Sequence, residues 1–257
     1  MALIFEVKNH IAYITINRPE VMNAMDPETY QELSQSWIEV RDNPDIWCAI
    51  VTGSGDKSFS AGADLKKTIP REPDRWELWQ TQSEQILNRG LEVWKPVIAA
   101  VNGYCLAGGM TLLLATDIRI SVAHAQFGLS EVKRGILPAN GGTQRTLRQL
   151  PYPIAMWLLM SGETMSAEEA LKYGLINEIV PTNKLMEEAE KRASIICQNG
   201  PLAVRAIKEL AVKSQYMPLE QGLRMEYMMQ SLLKTTEDAI EGPKAFAEKR
   251  TAQFKGK

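Results

Sequence analysis

Hydrophobic and polar positions follow two rhythms along this chain, and the changes of rhythm mark its elements. Leu3–Lys8 and Ile11–Ile16 are rich in β-branched residues and are separated by Asn9-His10, a pair suited to a tight turn. Residues 3–16 therefore predict a β-hairpin with His10 in solvent. Asn17–Asn23 reads as a loop. Asp26-Pro27 then opens a helix, with Asp26 as N-cap and Pro27 at the first helical position. Tyr30, Leu33, Trp37 and Val40 keep the helical period until Asp42-Asn43-Pro44-Asp45 stops it. Ile46–Thr52 is a continuous apolar run with the pattern of a strand buried on both faces, and Pro96–Val101 and Ile118–Val122 read as a second and third buried strand. Between them lie a Gly-rich loop at Gly53–Ser58, a helix over about Asp74–Leu91, an Asn102-Gly103 turn and a short apolar helix at Ala107–Ala115. This alternation predicts an α/β fold class.

From Gly141 onward the pattern turns mostly helical. Ser166-Ala167-Glu168-Glu169 is a capping box, and Gly174 supplies a C-terminal stop. A last strand is predicted at Ile176–Val180. The rest, about 182–257, reads as helical, broken at Gly200-Pro201 and Met217-Pro218. No internal repeat of fixed period and no low-complexity tract is visible.

Composition narrows the function classes. The chain has 257 residues, 45% of them hydrophobic, enough for one large domain or one domain with a small appendage. Its net charge of −2 lacks the basic excess of a protein built around a nucleic-acid backbone. The longest apolar stretches, near Val97–Val101 and Met110–Ala115, fall far short of the roughly 20 residues of a membrane span. The N-terminus reads as a strand start, not a signal peptide. Three cysteines (Cys48, Cys105 and Cys197) without metal spacing point to a reducing, cytoplasmic setting and to no metal site. Two distant histidines, His10 and His124, leave little for a zinc site or a His-based triad.

Three tempting motifs fail. Gly53–Ser58 departs from the phosphate-loop pattern because Asp56 precedes Lys57 where glycine is required. Gly128-Leu-Ser-Glu-Val132 lacks the closing glycine of a nucleophile elbow. No GxGxxG follows the first strand. Three other segments are informative. Phe59-Ser-Ala-Gly-Ala-Asp-Leu65 follows a buried strand, and Asn102-Gly-Tyr-Cys-Leu-Ala-Gly-Gly-Met110 leads into a helix. Their small residues let a ligand approach the backbone, and unpaired N–H groups from two such loops would make an oxyanion hole. The same glycines also suit turns and tight helix packing. In the third segment Glu131 lies among Leu129, Val132 and Ile136. A carboxylate in apolar surroundings has a raised pKa suited to proton transfer near neutrality, whereas a lone surface glutamate has no such role.

Together, in this order and spacing, the three segments resemble the enoyl-CoA hydratase/isomerase (crotonase) superfamily. The likeness extends to Asn17-Arg18-Pro19 with Asn23-Ala24, Gly141-Gly-Thr-Gln-Arg145, Ala170…Gly174-Leu175 and Ala245-Phe-Ala-Glu-Lys-Arg250. It implies a crotonase-like spiral of ββα units over residues 1–190, holding an acyl-CoA site, and a helical C-terminal trimerisation region at 191–257. It further implies a homotrimer or dimer of trimers that binds an acyl-CoA thioester and stabilises its enolate, with no cofactor beyond the coenzyme A of the substrate. The oxyanion donors match Ala63 and Gly108, acting through backbone N–H. Val21 and the Ala61–Leu65 loop, with Ala61, Ala63, Asp64 and Leu65, match the segments that hold the adenine and pantetheine. Phe246 and Lys249 match positions that close over the nucleotide, often from a neighbouring subunit.

The chain departs from the family's pattern at its acids. Well-studied hydratases of the family use two glutamates. The second matches Glu131, but the first falls at Thr111, which cannot exchange a proton near pH 7. Asp117 lies too far along to replace it. Asn140 stands where glycine is common, and its side chain either approaches the acyl group or occupies a left-handed turn. Three readings follow: an acyl-CoA lyase of the hydratase type with Glu131 as its single retained acid, a single-acid enoyl-CoA isomerase, and a catalytically weak acyl-CoA-binding member. Trp76, Trp79 and Trp94 are either part of an acyl pocket wall or ordinary core.

Overall fold

The computed structural model describes residues 1–68 and 85–257. The N-terminal hairpin forms as predicted: β1 (Leu3–Lys8) pairs antiparallel with β2 (Ile11–Ile16), from Leu3 opposite Ile16 to Lys8 opposite Ile11. Asn9 and His10 take φ of 51° and 65°, the positive values that a two-residue turn of the favoured hand demands. His10 stays exposed and stacks on Trp47. Helix α1 (Pro27–Asp42) starts where the Asp26 carboxylate accepts from the Thr29 N–H at 3.0 Å, and it buries Tyr30, Leu33, Trp37 and Val40.

After this helix the chain repeats one unit. A long buried strand enters a large sheet, a three-residue strand enters a second sheet, and a helical segment follows. The first unit is β3 (Cys48–Gly53), β4 (Ser58–Ser60) and α2 (Leu65–Thr68). The second is β5 (Val97–Val101), β6 (Tyr104–Leu106) and α3 (Gly108–Leu113). The third is β7 (Ile118–Val122), β8 (Gln126–Gly128) and a 3-10 turn at Ser130–Arg134. Then come α4 (Gly142–Gln149), α5 (Tyr152–Ser161), β9 (Thr164–Ser166), α6 (Ala167–Lys172), β10 (Glu178–Val180) and α7 (Leu185–Cys197). The large sheet has the order β1-β2-β3-β5-β7-β10 and is parallel from β2 onward. The second runs β4-β6-β8-β9, with only β9 antiparallel to its neighbour.

Every residue of β3 and β5 is buried, as their unbroken apolar runs require. Two buried amides fix the turns between the sheets. Asn102 donates to the carbonyls of Gly53, Gly55 and Ser58, and Asn23 donates to those of Ser54 and Ser58. Arg119, at the start of β7, is buried and gives its guanidinium protons to the carbonyls of Leu114, Thr116 and Leu175 and to Gln149. It thereby ties the end of α3 to α4.

Several boundaries and elements differ from the sequence pattern. The second sheet is not predicted, because its strands of three residues are too short to display a period of two. The helix expected at Ala107–Ala115 is shorter, since Ala107 is its non-helical cap and Leu114 its end. The last core strand covers Glu178–Val180 only. Of the helix expected over 74–91, residues 74–84 lie outside the described residues. Its remainder is a 3-10 turn at Leu87–Arg89, closed by Gly90 at φ 96°. The capping box at Ser166–Glu169 is present, and Gly174 takes φ 76° just past α6. Helix α7 packs on β3, β5 and β7 and spans the expected 190/191 boundary. Beyond it lie α8 (Pro201–Ser214), α9 (Leu219–Leu233) and α10 (Glu237–Ala247), with α8 beginning at Pro201 and α9 capped by Pro218, the prolines of the two predicted breaks.

Candidate active site

The site is built where two glycine-containing loops press together. Ala107, between β6 and α3, has φ 48° and ψ −118°, a strained conformation for a residue with a side chain. Its N–H donates to the Gly128 carbonyl at 2.9 Å, so Gly108 carries the first unpaired N–H of α3. In the other loop, Met25 and Ala63 form a parallel bridge. The Met25 N–H donates to the Gly62 carbonyl, and the Asp64 N–H donates to the Met25 carbonyl. This pattern consumes the groups on either side of Ala63 and leaves its own N–H on the opposite edge. Gly62 has φ 96°, and a Cβ added there would lie 2.7 Å from the Ala107 Cβ and 2.8 Å from the Gly108 nitrogen. Among the described residues, neither the Ala63 nor the Gly108 N–H has an acceptor.

Both groups line a cavity of about 210 Å³ whose walls include Tyr30, Ala61, Leu65, Thr111, Glu131 and Arg134. Glu131 reaches it from the 3-10 turn after β8. Its Oε2 is buried and accepts no hydrogen bond. Burial pushes the Glu131 carboxyl above its ordinary range, an effect that its own N–H and the Arg134 charge only partly offset. Thr111 also lines the cavity but is nearly sealed, at 2% exposure. Its hydroxyl donates to the Gly108 carbonyl at 3.0 Å and accepts from the Asn88 amide at 2.9 Å. The proton is thus committed to the backbone of the helix start. Asp117 is elsewhere, accepting from the Val97 N–H and paired with Lys208 at 2.7 Å.

Asn140 takes the left-handed turn of one of its sequence readings, with φ 55°, and also lines the cavity. Ala61 and Leu65 line the same cavity, whereas Val21 and Asp64 do not. Val21 is exposed at the end of a short 3-10 turn, Pro19–Val21. Asp64 turns its carboxylate to Arg18 at 3.1 Å. Arg18 also meets Asp26 at 3.2 Å, and Lys67 meets Asp26 at 2.5 Å, so four charges clamp the loop after β4. Burial opposes the Asp26 charge, yet Lys67, Thr29 and Arg18 outweigh it and hold the carboxyl well below the usual range. Within the single chain, Phe246 and Lys249 do not line the cavity. Phe246 is 87% exposed, and Lys249 follows α10 at φ 55°.

Trp76 and Trp79 lie outside the described residues. Trp94 lines a different and larger cavity, of about 620 Å³, against Arg119, Arg145 and α8. Three residues at or behind the site carry no motif. Tyr30 keeps the helical period and reads only as core, Asn88 sits in a region read as helix, and Arg134 follows Glu131 by three residues. Pattern alone does not separate a buried tyrosine that faces a cavity from one that faces a sheet.

Among the described residues, the cavity thus brings together two unpaired backbone N–H groups and one half-buried carboxylate. Among the described residues no cluster of His, Cys, Asp and Glu could hold a metal ion. The model of the family described as enoyl-CoA hydratase/isomerase matches residues 6–257. (E)-Benzylidenesuccinyl-CoA hydratase of Thauera aromatica is 43% identical over 256 residues, covering 100% of both chains. Carnitinyl-CoA dehydratase of Salmonella typhi is 40% identical over 253 residues, covering 96% of this chain and 95% of that one. The crystal structure of an enoyl-CoA hydratase from Bacillus anthracis superposes with a TM-score of 0.93 at 34% identity over 100% of both chains. In sequence, in fold and over its whole length, the chain belongs to the enoyl-CoA hydratase/isomerase family.

Proposed function

We propose that this protein adds water to, or removes it from, an acyl-CoA thioester, with the thioester oxygen held by the Ala63 and Gly108 N–H groups. One observation carries the reading. An unpartnered, buried carboxylate oxygen of Glu131 faces the same cavity as two unpartnered N–H groups. The relatives' activities support the lyase class, since both named curated relatives are a hydratase and a dehydratase. In the hydration direction, Glu131 takes a proton from water as the water oxygen bonds to the β-carbon. The α,β double bond shifts its electron pair toward the thioester oxygen, whose growing negative charge the two donors stabilise. Glu131 then returns the proton to the α-carbon, and the enzyme is regenerated. Two backbone donors of this kind are each worth roughly 10²–10³ in turnover.

The state of Thr111 favours a second reading. With the Thr111 hydroxyl proton given to Gly108, the site has one acid among the described residues, and one acid suffices to carry a proton between two carbons of an enoyl-CoA. Incubation with matched 2-enoyl-CoA and 3-enoyl-CoA thioesters, analysed by mass, separates the two. Water addition supports the hydratase, isobaric conversion supports the isomerase, and Glu131→Gln must slow whichever is seen by about 10²–10⁴.

In this proposal the coenzyme A runs past Val21, Ala61, Asp64 and Leu65, with the Arg18–Asp64 pair fixing the loop it follows. Phe246 and Lys249 reach the nucleotide of a neighbouring subunit in a homotrimer or dimer of trimers. Support comes from the exposed apolar residues of the helical region, among them Leu219, Leu232, Ile240 and Phe246, at 68–87% exposure. A cytoplasmic location fits the three free cysteines. No described helix is long and apolar enough to cross a membrane.

A further inference from the structure

Arg134 is the one cation among the described residues that line the 210 Å³ cavity, and Glu131 is the one anion. Both sit on the 3-10 turn Ser130–Arg134. In a 3-10 helix, side chains three residues apart eclipse one another, so the acid and the guanidinium share a face. They form no ion pair, although the Arg134 charge acts on the Glu131 carboxyl. Arg134 uses only Nη1, donating to the Ser130 carbonyl at 3.1 Å and the Ser130 hydroxyl at 3.3 Å, both neutral acceptors. Its Nε and Nη2 make no hydrogen bond to a described residue. The adjacent Lys133, by contrast, is paired with Glu163 at 2.8 Å. The same cavity is lined by the apolar Leu65, Ile136, Leu137 and Ala139 and by the polar Ser130 and Asn140, and Arg134 stands at its exposed rim.

A guanidinium with two donor groups unused by the protein, at the rim of a cavity, is suited to a planar anion bound through paired hydrogen bonds. It lines the same cavity three positions after the carboxylate proposed to serve the α- and β-carbons, which puts the anion it meets on the acyl group. We propose that Arg134 is a specificity-determining residue that pairs with a carboxylate on the acyl chain. The preferred substrates are then CoA monothioesters of unsaturated dicarboxylic acids. This deepens the function proposed above and rests on it. Two consequences follow from charge alone. A substrate carboxylate would otherwise repel Glu131, and Arg134 removes that penalty. An acyl chain ending in a quaternary ammonium is disfavoured.

The test uses full-length protein and two 2-enoyl-CoA thioesters of equal chain length, one ending in a carboxylate and one in the primary amide. The readout is the ratio of their kcat/KM values. A ratio of about 10 to 100 in favour of the carboxylate is expected for the native chain, carried by KM, from the usual strength of charge-assisted hydrogen bonds. Arg134→Met should bring the ratio near one, and Arg134→Lys should retain part of it, which separates charge from folding. Calorimetric binding of the saturated carboxylate and amide thioesters repeats the comparison without turnover. A chain that hydrates nothing but still prefers the carboxylate thioester in an Arg134-dependent way would refute the hydratase reading and keep this one. A native ratio of one, or an equal loss for both thioesters in Arg134→Met, would overturn it. The equal loss would place Arg134 on the CoA phosphates instead.

Discussion

Gly62→Ala is the sharpest perturbation of the proposed oxyanion site, because it adds one carbon where two loops meet. The new Cβ would lie 2.7 Å from the Ala107 Cβ, 2.8 Å from the Gly108 nitrogen and 3.1 Å from the Leu106 carbonyl oxygen. Carbon atoms rest at about 3.5–4.0 Å, so the loops must separate by about 1 Å. None of these neighbours is the tip of a flexible side chain, so no rotamer change absorbs the shift. The substituted alanine would also have to hold φ 96°, in the left-handed region, at a cost of about 1–2 kcal/mol. An oxyanion donor works within about 2.7–3.1 Å of its oxygen, a window narrower than the displacement. The expected result is a fall in kcat of about 10²–10³, with a thermal midpoint several degrees lower and an unchanged far-ultraviolet circular dichroism spectrum. Steady-state kinetics on the best enoyl-CoA substrate and a melting curve read both effects. A folded variant turning over at the native rate would show that the junction of these loops does not hold the thioester oxygen.

The remaining predictions concern charge and volume. Glu131→Gln should reduce kcat by about 10²–10⁴. Because burial raises the folded Glu131 pKa, its favourable contribution is full below the unfolded value near 4.3 and is lost as pH rises through the folded value. The Gln variant should therefore melt higher than the native protein at pH 8 and not at pH 4, and equal melting points at both would refute the burial argument. Asp26 has the opposite sign. Its depressed folded pKa stabilises the protein above the unfolded value near 3.9, and that contribution disappears as pH falls. Asp26→Asn should cost about 3–5 kcal/mol at pH 7 by urea titration, a cost that starts to shrink only below the unfolded value and is lost as pH falls through the much lower folded one, since it strips partners from the Arg18–Lys67 clamp. Thr111→Glu should not restore a two-acid site by itself. Asn88 is hydrogen-bonded to Thr111, and the Thr111 methyl lies 3.1 Å from where a Gly142 Cβ would stand, so overpacking of about 1–3 kcal/mol is expected by the same titration. Arg134→Met should move the acidic limb of the pH–rate profile upward, because it removes a charge that favours ionised Glu131.

The local elements were legible in the chain wherever a signal is short-range. The hairpin register follows from a two-residue turn, the start of α1 from Asp26-Pro27, the α6 cap from Ser166 and Glu169, and the breaks before α8 and α9 from their prolines. The repeated unit was not legible as a period. The distances between β3, β5 and β7 along the chain are unequal, so the repeat exists in space and not in residue count. Its second sheet escaped because three residues cannot show alternation.

At the site, residue types marked the two loops of small residues and Glu131, while the choice of Ala63 and Gly108 within those loops came from the resemblance. Their joint meaning came from resemblance across the whole chain. Only tertiary structure decided the rest. It spent the Thr111 proton on Gly108 through a bond that depends on the helix turn, and brought Asn88 from 23 residues away to hold that hydroxyl. It also turned Asp64 to Arg18 across 46 residues, and left Arg134 with idle donors beside an acid. Residue types determine which groups can donate, accept or ionise, and short-range pattern determines how the backbone begins and ends each element. Which donor meets which acceptor, and which is left without one, depends on contacts between distant segments, and the chemistry proposed for this site rests on those leftovers.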